Sequence, residues 1–149
     1  MFYASVFLGD FGLSELNNSR QIKILVVDDD PFMRDVLSNI FNAERYLVHT
    51  AENGEIAYGK CSQSSDFDLI VSDINMPVMD GLALIEKLRG AGIETPIIVL
   101  SGNNEISTAL TAIKAGADGY LLKDENIQDM IVPAVNRALE KQRNLDQNK

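Results

Sequence analysis

Five short apolar runs alternate along the chain with five helical segments, four of them marked by a stripe of apolar residues at helical spacing. The first run, Ile22 to Val27, leads through Pro31, which suits a first helical turn, to Met33, Val36, Leu37 and Ile40 at i, i+3, i+4 and i+7. The second, Tyr46 to Thr50, is followed by Asn53-Gly54 opening a helix that runs to about Gln63. The third, Leu69-Ile70-Val71, precedes a helix from Leu82 to about Arg89 with Leu82, Ile85 and Leu88 on one face. The fourth, Pro96 to Leu100, precedes the stripe Ile106, Ala109, Leu110 and Ile113, closed by Lys114 and Gly116. The fifth, Tyr120 to Leu122, precedes a helix capped by Asp124 or Asn126, with Ile127, Ile131, Ala134, Val135 and Ala138 as its stripe. Strict alternation of this kind predicts an α/β domain whose parallel sheet is covered on both faces, with right-handed crossovers. A chain of 149 residues has room for one such domain and a full core.

Parallel strands share a direction, so whatever follows each run gathers at one edge of the sheet, where ligands of open α/β sheets bind. Strand one delivers Asp28 and Asp29, strand three Asp73, strand four Ser101 and strand five Lys123. Around Asp73 the stretch Phe67 to Leu82 changes from strand to turn chemistry. Pro77 cannot continue a ladder, and Asp80-Gly81 reads as a tight turn suited to a positive φ. Carboxylates brought together repel by several kcal/mol per pair, on the order expected for a protein dielectric. Raised pKa values or a bound cation relieve that repulsion, and one lysine does not neutralise three acids. An all-oxygen donor set without histidine or thiolate selects a hard cation, Mg²⁺, with Mn²⁺ as a substitute. Asp73 would then act as a nucleophile toward a phosphoryl group, with Lys123, the metal and the Ser101 hydroxyl offsetting charge on its oxygens.

Composition removes other classes. The net charge of −9 and the lack of a basic cluster give no footprint for nucleic acid or an anionic membrane. The single cysteine, Cys61, cannot form an internal disulfide and fits a reducing, cytoplasmic setting; its place in a helix makes it a packing residue. The single histidine, His49, following the second strand, reads as a surface or half-buried residue, which leaves no material for a histidine-based triad or metal site. Residues 1–20 carry apolar side chains, including Phe2, Phe7 and Phe11, interrupted by Gly9, Asp10 and Gly12. They lack the positive start of a secretory signal and the length of a membrane span, and read as an extension of unassigned role. The body spans residues 21–143, and the polar stretch 144–149 reads as a tail that frays or projects.

The segments Ile24 to Pro31 through Arg34, Asp68 to Gly81, Val99 to Gly102, and Gly116 to Lys123 stand in an order and spacing that resemble the receiver domain of bacterial response regulators. These domains serve two-component and phosphorelay signalling. The resemblance implies a five-stranded, doubly wound (βα)5 flavodoxin-like fold with strand order 2-1-3-4-5, the order that a receiver exemplifies among doubly wound folds. It implies that Asp73 is the phosphoacceptor for a histidine kinase or histidine phosphotransfer protein. Asp29 and Asp73 would ligate Mg²⁺ with the backbone carbonyl of Asn75, and Asp28 would act through a metal-bound water. Ser101 and Tyr120 match the family's switch pair, which remodels the surface of the fourth helix, fifth strand and fifth helix for a protein partner or a homodimer. The chain departs from many receivers in having Asp124 rather than proline after Lys123. Asn75 and Asn103 flank the expected pocket and would govern water access.

A phosphatase of the haloacid dehalogenase type also forms an aspartyl-phosphate, but it places that aspartate after its first strand with a second acid two residues on. Here the central acid follows strand three, and Asn75 stands two residues beyond it. A receiver fold that binds constitutively, without phosphorylation, is disfavoured by the intact set of acids and lysine. With no DNA-binding module after Arg143, the expected output is through protein contacts, by a single-domain regulator or as one portion of a larger protein.

Overall fold

The structure, a computed structural model, describes residues 21–64, 66–102 and 106–147. The expected roles of residues 1–20 and of Asn103 therefore lie outside the described residues. The elements are β1 (Lys23–Val27), α1 (Pro31–Ala43), β2 (Leu47–Ala51), α2 (Gly54–Gln63), β3 (Leu69–Asp73), α3 (Gly81–Gly90), β4 (Ile97–Ser101), α4 (Ile106–Ala115), β5 (Gly119–Leu122) and α5 (Ile127–Gln147). All strand pairs are parallel, in the order β2-β1-β3-β4-β5.

Side-chain alternation along the strands divides the core into two layers. Ile24, Val26, Leu69, Val71, Ile98 and Leu100 face Leu37 and Phe41 of α1 and Ile131 and Val135 of α5. Leu25, Val27, Ile70, Ile97 and Val99 face Ala57 and Cys61 of α2, Leu84, Ile85 and Leu88 of α3, and Ala112 of α4. The three central strands are apolar on both sides because helices cover both.

Local chemistry sets the helix starts. Asp30 accepts from Phe32 N–H, Asn53 from Ile56 N–H, and Asp80 from Ala83 N–H, each satisfying a donor left open at a helix N-terminus. Asp30 is thus a cap, which separates it from the acids at the sheet edge. Asp124 accepts from Asn126 N–H ahead of α5.

Several expectations are corrected. The positive φ of the β3–α3 loop falls on Val78, at 71°, not on Asp80-Gly81. Met79 N–H donates to Pro77 carbonyl at 2.7 Å, closing a γ-turn around Val78. Gly81 is needed for space: a Cβ there would stand 2.4 Å from the Asp73 carbonyl oxygen and 2.9 Å from Ile74 Cα. In α3 the buried stripe is Leu84, Ile85 and Leu88, with Leu82 half-buried. The α4 stripe faces outward, Ile106 being 75% exposed, Leu110 54% and Ile113 45%, and Ala112 is the buried residue of that helix. His49 lies inside β2, exposed, with its ring edge-on to Phe67 at 5.6 Å. The last helix runs through the polar stretch after Leu139 to Gln147, so residues 144–147 of the expected tail are helical.

Candidate functional site

Register brings the acids together. Val26 pairs with Val71 and Val27 with Ser72, so one step beyond the pairing the Asp28 backbone stands next to Asp73 at the carboxyl end of the sheet. Asp73 pairs with Leu100, which puts Ser101 one residue past it on the adjoining strand. Lys123 N–H donates to the Ser101 carbonyl at 2.8 Å, so β5 delivers the lysine to the same edge.

Carboxylate oxygens of Asp28, Asp29 and Asp73 all lie within 4.8 Å of one another. Asp28 and Ser101 are fully buried and Asp73 is 5% exposed, whereas Asp29 is exposed. The Lys123 ammonium stands 3.0 Å from Asp28 Oδ2 and 3.3 Å from Asp73 Oδ2. Asp28 Oδ1 accepts from Asp30 N–H at 2.9 Å, so both oxygens of Asp28 already have donors. The Asp28 carbonyl accepts from the Arg34 guanidinium at 2.8 Å, and its N–H donates to the Ala51 carbonyl at 3.1 Å. Asp29 has no side-chain partner among the described residues. The division follows from position: Asp28 is built into the loop, and Asp29 is open to an incoming group.

Burial pushes the Asp73 carboxyl above its ordinary range and the charge of Asp28 pushes it further, while Lys123 and the Asn75 backbone N–H oppose both. Burial pulls the Lys123 ammonium down, but its hydrogen bond to Asp28 and the two carboxylate charges outweigh that and raise it. The lysine is therefore held protonated against the acids. Two of three clustered carboxylates are buried beside one cation, and the donors are all oxygen. That set fits a hard divalent ion of the Mg²⁺ kind.

Of the remaining expected site residues, Asn75 is exposed on the loop that leaves Asp73, and Tyr120 is half-buried against the core layer that holds Val99 and Ile97. Residue patterning alone gave no sign of Arg34 as the donor to the Asp28 carbonyl, nor of Gly81 packing on the carbonyl of Asp73; both depend on contacts across the loop.

A doubly wound parallel sheet carrying an acid cluster and a lysine at its carboxyl edge defines the receiver class of signalling domains. The chain belongs to the response regulator receiver domain family, whose sequence model matches residues 24–134. It is 37% identical over 118 residues to the nitrate/nitrite response regulator protein NarL of Escherichia coli, covering 78% of this chain and 54% of that protein. It is 35% identical over 112 residues to the cell cycle transcriptional regulator CtrA of Caulobacter vibrioides, covering 74% of this chain and 47% of that one. The chain thus spans about half the length of these two relatives. Among solved structures it is similar to the chemotaxis protein CheY4 of Vibrio cholerae, with 31% identity, a TM-score of 0.73, and coverage of 79% of this chain and 98% of the other. It is also similar to the response regulator TrrA of Thermotoga maritima solved with Mg²⁺-BeF, with 34% identity, a TM-score of 0.70, and coverage of 78% and 97%. The protein is a regulatory receiver domain of two-component signalling, a family that typically binds Mg²⁺. Among the described residues no helix is long and apolar enough to cross a membrane.

Proposed function

We propose that Asp73 accepts a phosphoryl group from a phosphohistidine of a histidine kinase or histidine phosphotransfer protein. The bond from phosphorus to the imidazole nitrogen breaks as the bond to an Asp73 oxygen forms, and the imidazole leaves with a proton from solvent. The observation that carries this reading is the convergence of three carboxylates within 4.8 Å, with Lys123 bridging Asp28 and Asp73. Asp29, Asp73 and the backbone carbonyl of Asn75 would hold Mg²⁺, or Mn²⁺ in its place, with Asp28 acting through a bound water. The ion supplies charge that offsets the phosphoryl oxygens during transfer.

Lys123 contributes a fixed positive charge to the same oxygens, and the Ser101 hydroxyl contributes a hydrogen bond. The new charge on Asp73 biases Ser101 and Tyr120 toward a second arrangement and so alters the α4–β5–α5 surface. The outward-facing Ile106, Leu110 and Ile113 of α4, together with exposed Leu122 on β5 and Met130 on α5, support that surface as the place where a protein partner or a second copy docks. The domain regulates rather than turning over a separate substrate; its chemistry is its own phosphorylation and hydrolysis. The acidic balance supports output through protein contacts in the cytoplasm, without nucleic acid or membrane. The body at 21–143 carries this function, flanked by 1–20 and 144–149.

Incubation with Mg²⁺ and acetyl phosphate, followed by intact mass, tests the reading. One phosphoryl adduct is expected on the wild type and none on Asp73→Asn. An adduct that persists on the variant overturns the role of Asp73.

A further inference from the structure

Every polar group of Asp28 is engaged. Its N–H donates to the Ala51 carbonyl at 3.1 Å, its Oδ1 accepts from Asp30 N–H at 2.9 Å, and its Oδ2 accepts from the Lys123 ammonium at 3.0 Å. The remaining group, the backbone carbonyl, accepts from Nη1 of Arg34 at 2.8 Å. Arg34 is the fourth residue of α1, and side chains on a helix lean toward its N-terminus, so this one reaches back over the loop from which the helix starts. Arg34 N–H also closes the first turn of α1 on the Asp30 carbonyl at 3.0 Å, which fixes the root of the side chain as well as its tip. The residue is half-buried.

The bond to the carbonyl acts on the next residue. The Asp28 carbonyl and the Asp29 N–H belong to one planar peptide unit, so a donor that fixes the carbonyl helps to fix where the Asp29 side chain points. Asp28 is fully buried, and a carbonyl left there without a donor is costly enough for the peptide unit to turn in search of one. Such a turn would swing the Asp29 carboxylate away from those of Asp28 and Asp73, which it now approaches within 4.8 Å. We propose that Arg34 is a positioning residue for the divalent ion, holding the Asp28–Asp29 peptide so that the three carboxylates present their oxygens together. This role rests on the metal ligation proposed above.

Two contrasts separate positioning from simple charge. The guanidinium is a cation beside the acid cluster, so by charge alone it opposes a divalent ion, and its removal would tighten binding. Positioning predicts weaker binding instead. Geometry separates the ions as well: Mg²⁺ demands near-octahedral ligands at about 2.0–2.1 Å, whereas Ca²⁺ accepts a flexible set at about 2.3–2.6 Å. A displaced Asp29 therefore penalises Mg²⁺ more than Ca²⁺.

Isothermal titration calorimetry of the wild type, Arg34→Met and Arg34→Lys, with Mg²⁺ and separately with Ca²⁺, tests the role. Arg34→Met should raise the Kd for Mg²⁺ about tenfold, the order expected when a group that orients a metal ligand is lost, and the Kd for Ca²⁺ by no more than about twofold. Arg34→Lys, which keeps the charge and one donor group, should fall between the wild type and Arg34→Met for Mg²⁺. Far-ultraviolet circular dichroism checks that each variant is folded, and Arg34→Lys carries the test alone if Arg34→Met is not. A Kd for Mg²⁺ that falls, or stays within about twofold of wild type in every folded variant, overturns the proposal. So does an equal loss for both ions. A wild type that takes up no Mg²⁺ strikes the proposed ligation and this role together. Loss of the acetyl phosphate adduct with these affinities as expected strikes the phosphoacceptor reading alone.

Discussion

The ammonium of Lys123 lies 3.0 Å from Oδ2 of Asp28, a residue 95 positions earlier in the chain. This contact joins the first strand unit to the last across the carboxyl edge of the sheet. It also lets two buried carboxylates exist side by side, because Lys123 reaches Asp73 at 3.3 Å with the same nitrogen. One positive charge shared by two acids still leaves the cluster negative. A divalent ion and a phosphoryl group, as proposed above, would meet a site whose charge is only partly offset.

Mg²⁺ should stabilise the folded protein. An ion that binds the folded state alone contributes about 2.7 kcal/mol at a hundredfold excess over its Kd, which for a domain of this size raises Tm by about 5 °C or more. Asp29→Asn should lose most of that rise, since Asp29 is the acid with no partner among the described residues. Differential scanning calorimetry with and without Mg²⁺ decides it; an equal rise in the variant removes Asp29 from the metal site.

Gly81→Ala should destabilise by about 1–3 kcal/mol, because the added Cβ overlaps the Asp73 carbonyl and Ile74 Cα. The strain falls on the backbone of Asp73, the proposed phosphoacceptor. Adduct formation with acetyl phosphate should slow along with the loss of stability. Urea denaturation and intact mass, measured on the same sample, check both.

Cys61 is buried, and burial pushes its thiol up to about 11 from an ordinary 9.0. Its folded pKa is above its unfolded value, so folding favours the protonated form. Its share of stability is fully present below about pH 9 and is lost as pH rises toward 11, a change on the order of 2 kcal/mol. Cys61→Ala should flatten that alkaline loss. Native protein should resist iodoacetamide at neutral pH, and urea-unfolded protein should react.

Ile106→Ser and Leu110→Gln should leave stability within about 0.5 kcal/mol of wild type, as expected of exposed positions. Leu84→Ala, by contrast, should cost about 2–5 kcal/mol, because Leu84 is fully buried beneath the sheet. Chemical denaturation compares the three. A large loss from either α4 substitution would place that stripe in the core after all.

That stripe marks where reading the sequence falls short. Periodicity identifies Ile106, Ala109, Leu110 and Ile113 as one face of a helix, but it carries no information on which way that face points. The strands were legible because Leu69-Ile70-Val71 and Ile97 to Leu100 are apolar in unbroken runs, which only a sheet covered on both sides accommodates. The acids, Ser101 and Lys123 were legible as occupants of one edge for the same reason, since a shared strand direction leaves them no other place. Val78 was not legible as the left-handed residue. A β-branched side chain disfavours that conformation, and only the γ-turn closed by Pro77 and Met79 imposes it. The Arg89 guanidinium donates twice to the Gly116 carbonyl, at 3.1 and 2.9 Å, and pairs with Asp118 at 3.2 Å, contacts between distant parts of the chain that no local pattern announces.

The β3–α3 loop is also stitched sideways. Gly54 N–H donates to the Met79 carbonyl at 3.0 Å, and a Cβ at position 54 would stand 2.6 Å from that same oxygen. The first turn of α2 and the segment leaving Asp73 thus share a seam with no slack. Any side chain larger than hydrogen on the α2 side would displace Met79 and, through the short span back to Asn75, shift the rim of the acid cluster. Tolerance at residue 54 is set by the neighbouring loop, whose Met79 carbonyl and side chain fill the space a Cβ would need.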